Sequence, residues 1–547
     1  MQKKAYGIIK AITIFTIILL SIFCFANNSF AYGNVNELEI IAPKEAGTGN
    51  PALNENARYF RAYPGIEYKI KAAVIGGKYP YIYSLSNAPE SMTIDRKSGT
   101  IIWANPQASA QNIGLTVTDA NGNSVQSSWS INVTSDSFIF VDAGAQDGGD
   151  GTISNPFNSI EDFLALDSSY VSDIVYFRDG IYDLPVWGGA TSSGASSCSL
   201  DRDGGDAHIW LGYPNENVTI DFGGNKFIAA NLTNPLAPYY FAHMRWYNAQ
   251  EYGIRADSHL DYVVLYDMDC DTLHTTHTIN ENMGWYFTPY VGAGHYLMFL
   301  DSKFHDYTDT TGIGSFYEQD KMLIEGNQFY NQLVGELNGS FSAISPKTSV
   351  TRSTIRGNSI VVSYRNCFGS GWNSQFGEYS LTGTRSHGNE VCFNLFLKDS
   401  ESDTASMINP GAESGSTYYY RNTWRGRINM RNINSTMYPG TTTCGNPLQV
   451  VPDAECGDNG PFVFENNVMQ NQDAGVYYDY TSGPNPENYV PMMDNLTGSE
   501  GLIDSDGLLI NRTYVGTYGH EIAESEYWND GEADATPPNT PTGLSVS

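Results

Sequence analysis

Two groups of residues in this sequence could do chemistry. The first is Asp267-Met268-Asp269-Cys270-Asp271, followed by His274 and His277. On a strand, residues two apart share a face, so three carboxylates line up while Tyr266, Met268 and Cys270 turn inward. About one repeat later Asp301, Lys303 and His305 recur at the same parity, with Asp306 and Asp309 just beyond. Stacked carboxylates repel unless a cation or a raised pKa relieves them. A Ca2+ site with Asp267, Asp269, Asp271 and Asp301 as ligands would account for the cluster, and so would a hydrolytic carboxylate pair. A solvated face on a very acidic protein is the third reading.

The second group is marked by an absence. No Asp or Glu occurs from Leu337 to Gly377, although acids make up 60 of the 547 residues. That stretch carries Lys347, Arg352, Arg356 and Arg365. A second acid-free stretch, Ser414 to Pro452, carries Arg421, Arg425, Arg427 and Arg431, and Arg385 and His387 lie between the two. Stacked on neighbouring repeats, these cations would form a stripe fit for an anionic sugar chain, with Arg352, Arg356, Arg385, Arg421 and Arg425 as its binding contacts.

The elements that must position both groups are short. MLIEGNQFYNQ, STIRGNSIVVS and NEVCFNLFLKD each hold an apolar run, an Asn, and an apolar residue two places on. The pairs are Asn327 with Phe329, Asn358 with Ile360 and Asn394 with Phe396; the pattern continues at Asn422 with Trp424 and Asn466 with Val468, and backward, without its Asn, at Phe304. A strand this short cannot bury its own apolar side and must stack on a copy of itself. An Asn at a recurring bend can hydrogen-bond the bends above and below while rings and aliphatic chains stack inside. The arrangement resembles a right-handed parallel β-helix, the scaffold of many secreted polysaccharide lyases and hydrolases. Coils are expected from about Trp210 to Tyr480, with long loops such as Asp271–Tyr296 and Asn432–Gly460 building a groove on one flank.

Within the first acid-free stretch, NGSFSAISPKTS (Asn338 to Ser349) resembles the catalytic strand of the alginate and dermatan lyases of β-helix fold. Carried over, that resemblance implies Lys347 as the base and Arg365, in SYRNC, as the following Arg. The family's acidic calcium ligands are replaced here by Ser340 and Ser342, and Pro346 precedes the Lys. The implied reaction is β-elimination at a uronate: a base takes the proton beside the carboxylate while the glycosidic oxygen leaves. That proton is very weakly acidic until Arg, Lys or Ca2+ neutralises the carboxylate. A Lys among other cations has a lowered pKa and can serve as base. His387 and Tyr364 are placed to protonate the departing oxygen. No Gly-His-Gly or Asn-Thr-Asp of the polygalacturonase type occurs.

Composition agrees with a large β core: 54 Gly, 37 Tyr and 25 Phe, with only 16% charged residues. The net charge of −31 argues against general nucleic-acid binding. Residues 1–31 read as a secretory signal: Lys3, Lys4 and Lys10, an apolar run from Ala11 to Phe25, and Ser29-Phe30-Ala31 as cleavage context. A secreted, periplasmic or cell-surface monomer follows as the expectation, with no membrane span once the signal is removed. In such a compartment Cys444 and Cys456, close in one loop, are the best disulfide; Cys367 and Cys392, about one coil apart, either pair or pack.

The remaining stretches complete an all-β organisation. From residue 36 to 135, YIYSLSNAPESMTIDRKSGTIIWANP and IGLTVTDANGNSVQSSWSINV resemble the immunoglobulin-like modules of bacterial surface and carbohydrate-active proteins, with turns at Lys97-Ser98-Gly99 and Asn121-Gly122. Asp119 and Asn121 either anchor a turn or hold calcium. From residue 138, FIFVDAGAQDGGDGTISNPFNSIEDFLAL resembles the opening of secreted β-helix enzymes, where a short helix caps the solenoid; Asp142, Asp147 and Asp150 read as turn residues. The solenoid is expected over 138–530 and a Pro-rich tail, similar to the start of a fibronectin-type module, over 531–547. The sequence thus predicts an immunoglobulin-like β-sandwich followed by a β-helix that meets an acidic polysaccharide. A uronate lyase is the leading reading; a hydrolase, an epimerase and a non-catalytic glycan-binding or surface protein stay open.

Overall fold

Strands too short to close a core singly are here each paired with their counterpart one coil on. The computed structural model describes residues 36–166, 174–184, 197–199, 208–223, 228–232, 238–248, 252–256, 260–271, 283–287, 294–306, 311–316, 319–331, 342–346, 350–362, 366–370, 388–399, 403–408, 417–434, 462–473, 475–482 and 492–523. Among these residues the chain passes repeatedly through three sheets of 13, 11 and 10 strands. The first runs from Phe138–Val141 to Met492–Met493, the second from Gly180–Asp183 to Leu496–Gly498, and the third from Ser197–Ser199 to Val476–Ser482. Pairing along them is parallel, as from Phe304 to Phe329, Ile360, Phe396 and Trp424 in the second sheet. The architecture is a parallel β-helix whose coils extend from Phe138 to Gly498, further at both ends than the repeat pattern alone marks.

Alternate side chains enter the solenoid. Phe304 and Phe329 stack with centroids 5.0 Å apart, and Phe396 and Trp424 at 5.2 Å. Each buried ring is worth roughly 2–3 kcal/mol relative to exposure. Asn327, Asn358, Asn394, Asn422, Asn467 and Asn495 form a continuous ladder at the corner between the first and second sheets. Each backbone N–H donates to the next Asn Oδ1, at 2.9, 3.0, 3.0, 2.8 and 2.9 Å in turn. Ser302 takes the place below Asn327 and donates its N–H to that Oδ1 at 2.9 Å. The fifth rung is Asn467, with Met469 inside, rather than Asn466 with Val468. Asn466 instead takes the left-handed turn before the corner, at φ 54°, which Asn tolerates.

The open end is closed as the sequence leads one to expect. The helix Ile160–Leu164 turns Ile160, Phe163 and Leu164 into the solenoid core, and the Ser159 hydroxyl caps it by accepting the Asp162 N–H. Asp142, Asp147 and Asp150 hold turns through Gly144, Asn158 and Thr152.

The N-terminal module is an antiparallel sandwich. Ala110–Thr118 and Ser124–Val133 form its longest hairpin, over a core that includes Tyr68, Trp103 and Trp129. Asp119 anchors a turn: its carboxylate accepts the N–H groups of Lys78, Asn121 and Asn123. The module lies on the outer face of the first sheet. Phe138, Phe140, Tyr176, Tyr240, Tyr262, Tyr266, Met298 and Leu300, the outward residues of successive strands, join the module's own core. Farther along, residues 499–523 cover the second sheet, where Ile503 and Leu509 meet Leu395, Leu397 and Val468. Among the described residues no helix is long and apolar enough to cross a membrane. Residues 1–35 and 524–547, with the signal and the Pro-rich tail, lie outside the described residues.

Candidate functional site

The acidic cluster divides where the chain turns its corner. Tyr266 faces the module, not the solenoid core, because Asp267 adopts a left-handed φ of 53° and resets the alternation; Met268 and Cys270 then point inward. Asp267 and Asp301 consequently meet the module, while Asp269 and Asp271 stand on the outer face of the second sheet. Each carboxylate has its own cation. Asp267 accepts from His243 Nδ1 and Lys69 Nζ, both at 3.0 Å. Burial works to raise the Asp267 pKa, but His243 and Lys69 outweigh it and hold the carboxyl well below the usual range. Asp301 accepts from Lys71 Nζ at 2.6 Å. The Arg245 fork holds Asp271 at 3.0 and 2.5 Å. Asp269 meets His305 Nε2 at 2.7 Å, and His305 Nδ1 meets Asp306 at 2.6 Å. Burial would lower the His305 pKa, but the two carboxylates outweigh it and favour the imidazolium.

The expected single calcium patch is therefore not what these residues build. Asp271, His305 and Asp306 do bring ligand atoms within 4.8 Å of one another. Both ring nitrogens of His305 are nevertheless engaged by carboxylates, and Asp271 is taken by a guanidinium. Hard oxygen-seeking Ca2+ has little use for an imidazolium, so the donor set does not fit it.

The expected cationic stripe also disperses. Arg356 is fully buried beneath the module: it donates to Val74 O at 2.8 Å, Tyr81 Oη at 2.8 Å and Glu325 Oε2 at 2.6 Å. Lys71 joins the same buried group, 3.4 Å from Glu325. Arg421 donates to the backbone carbonyls of Gly516, Gly519 and Glu521, and Arg425 to those of Lys398 and Ser505. Arg352 stays half-exposed, but its fork grips Asp320. The reason is topological. A stretch free of acids in the linear sequence finds them one coil earlier; Glu325 is 31 residues before Arg356. Three guanidinium groups that are buried or bound to backbone, and a fourth already paired, do not make a groove for a polyanion.

Lys347, Arg365, Arg385 and His387 lie outside the described residues, as does Tyr364. Their described neighbours define the frame. Ser342–Pro346 and Asn366–Ser370 are adjacent strands of the third sheet, with Ser342 opposite Asn366 and Ile344 opposite Phe368. Pro346 and Asn366 are thus four residues apart in register, on the order of 13 Å along the strands. Cys444 and Cys456 also lie outside the described residues. Cys367 and Cys392 do not pair: Cys367 is inside the solenoid on the third sheet, and Cys392 is on the module-facing side of the first.

The coil corners differ in length. Between first and second sheets two residues separate the strands, from Glu325 to Gln328, Arg356 to Ser359, Cys392 to Leu395, Tyr420 to Thr423 and Glu465 to Val468. Insertions flank the third sheet: Tyr330 to Ser342, Ser370 to Asn389 and Asn434 to Phe462. The Asn ladder fixes the short corner, so extra chain can enter only elsewhere. The first sheet lies under the module and the later second sheet under residues 499–523, and among the described residues neither segment covers the third sheet. Sequence reasoning missed the module's docking contacts. The alternation in Tyr68-Lys69-Ile70-Lys71, which puts two ammonium groups on one edge, was the available signal.

A family model, described as "Putative Ig domain", matches residues 50–134, so the chain contains an immunoglobulin-like domain there. No curated protein matches the chain. Among solved structures, pectate lyase Pel9A is 9% identical with a TM-score of 0.37, covering 66% of this chain and 80% of its own. A rhamnogalacturonan lyase is 14% identical with a TM-score of 0.38, over 72% of this chain and 98% of its own. XylC in complex with xylose is 12% identical with a TM-score of 0.31, over 67% and 88%. The fold stands on the strand register above and not on these likenesses.

Proposed function

We propose that this protein is an exported enzyme acting on an acidic polysaccharide, and that it cleaves uronate-containing chains by β-elimination. The observation that supports this reading is the placement of the long insertions. They join strands of the third sheet to their neighbours, and among the described residues neither the module nor residues 499–523 covers that sheet; a rigid sheet with long connections at its edges suits an extended polymer. The segment resembling a lyase catalytic strand, Asn338 to Ser349, falls on that same sheet through Ser342–Pro346. Lys347 is proposed as the base, His387 as the donor to the leaving oxygen, and Arg365, whose neighbour Asn366 lies on the order of 13 Å along the strands from Pro346, as the group holding a uronate carboxylate on another unit of the chain. A planar guanidinium takes a carboxylate through two parallel bonds, which an ammonium cannot reproduce.

The test is a screen of uronate polymers for unsaturated products by ultraviolet absorbance, with Lys347→Ala and Arg365→Lys beside the wild type. Lys347→Ala should abolish product while leaving polymer binding largely intact, because a base acts chiefly in the transition state. Arg365→Lys should impair both steps. New reducing ends without unsaturation would mean hydrolysis instead, and near-normal turnover by Lys347→Ala would remove that residue from the mechanism.

A further inference from the structure

We propose that the C-terminal end of the third sheet carries a subsite for one acidic sugar unit, built from Arg427 and Tyr477; this rests on the polysaccharide reading and locates one of its contacts. The strands Arg427–Asn434 and Val476–Ser482 are parallel neighbours, with Asn429 directly opposite Tyr477. Ile428 and Met430 enter the solenoid core and Val476 packs against it, so Arg427, Asn429 and Tyr477 stand on the outer face.

Arg427 and Tyr477 each offer an unused group. Tyr477 is a large ring, 38% exposed. The Arg427 guanidinium carbon lies 4.7 Å from the centre of that ring. Its Nε donates to Asp473 at 2.8 Å, while its two terminal nitrogens bond no described residue. Asn429, on the same face, is buried and takes no part in the subsite.

The support beneath these groups is rigid. Asn471, fully buried, accepts the N–H groups of Asp473 at 3.1 Å and Gly475 at 3.2 Å and donates to Gly475 O at 2.9 Å. That loop fixes Asp473, and Asp473 fixes one edge of the guanidinium. The free edge can then take a carboxylate through two parallel N–H bonds. The ring supplies a platform for the C–H face of a pyranose. On a chain of net charge −31, a polyanion has to be met by such local geometry rather than by the overall field. A neutral sugar would use the ring but leave the guanidinium edge idle, so the ligand class is a uronate or another carboxylated pyranose.

The full chain is tested by affinity electrophoresis through gels containing polygalacturonate, alginate, or the same polymers after carboxyl reduction. The wild type should be retarded by at least one polyuronate and not by its reduced form. Arg427→Gln and Tyr477→Ala should each weaken that retardation about tenfold in affinity, and Arg427→Lys should resemble Arg427→Gln because the fork is lost. Both sites are at the surface, and unchanged melting identifies folded variants. If the variants bind polyuronate as the wild type does, the subsite is wrong while the polysaccharide reading stands. Equal retardation by the carboxyl-reduced polymer overturns the acidic-sugar assignment. A wild type that binds none of the polymers overturns both.

Discussion

Replacing Asn358 by Ala removes one rung from the corner ladder, and its cost can be counted bond by bond. Asn358 Oδ1 accepts the Asn327 N–H at 2.9 Å and the Asn327 Nδ2 at 3.0 Å, and its Nδ2 donates to Ile324 O and Asn394 Oδ1, both at 2.9 Å, and to Arg356 O at 3.1 Å. Asn394 Oδ1 keeps the Asn358 N–H at 3.0 Å, but the Asn327 N–H and the Ile324 carbonyl lose these partners inside a corner that water does not reach. Each buried group left unsatisfied costs about 1–3 kcal/mol, so the substitution should destabilise by roughly 2–6 kcal/mol. Asn466→Ala is the control. That residue is one place off the ladder, and its amide reaches only Glu465 Oε1, at 3.5 Å. Its cost should be about 1–2 kcal/mol, from placing Ala in a left-handed conformation. Urea unfolding of both variants against wild type, followed by fluorescence, measures the difference. Equal destabilisation, or a larger loss for Asn466→Ala, would refute the ladder assignment and the register that goes with it.

Two further outcomes follow from the buried and paired charges. Glu390 lies under the module; burial pushes its carboxyl up to about 8, with only partial relief from the Asn36 N–H, Arg356 and Lys78. Its protonated form favours the fold, so that contribution is complete below the ordinary value of 4.5 and is lost as pH rises towards 8, a change of at most about 5 kcal/mol. Glu390→Gln should flatten the pH dependence of unfolding across that window and be the more stable form at pH 8, and an unchanged slope would count against the buried neutral acid. Chelation should leave the melting temperature unchanged, since Asp267, Asp269, Asp271 and Asp301 are each matched by a protein cation; a fall on adding EGTA, restored by Ca2+, would contradict that pairing.

What could be read from the sequence is what repeats along it. The interval from Asn to the apolar residue two places on is local chemistry, and it located Phe329, Ile360, Phe396 and Trp424 inside the solenoid. It slipped at FENNV because two adjacent Asn residues compete for one corner. Both side chains suit a turn, and only the hydrogen bond to Asn422 on the coil below selects Asn467. Charge was harder to read for a related reason. In a solenoid the nearest charged neighbours are one coil away, so counting acids along the chain misjudges which cations are free. Arg356 is unaccompanied in its own stretch yet is the most enclosed guanidinium among the candidates, held between Glu325 from the coil below and Tyr81 and Val74 from the module. The same logic bears on function. A cation that stabilises the fold must be buried against a partner, whereas one that meets a substrate must keep part of its hydrogen-bonding edge unused. Among the described members of the second arginine cluster, Arg421 and Arg425 spend their edges on backbone carbonyls, and Arg427 keeps two terminal nitrogens in reserve beside an exposed ring.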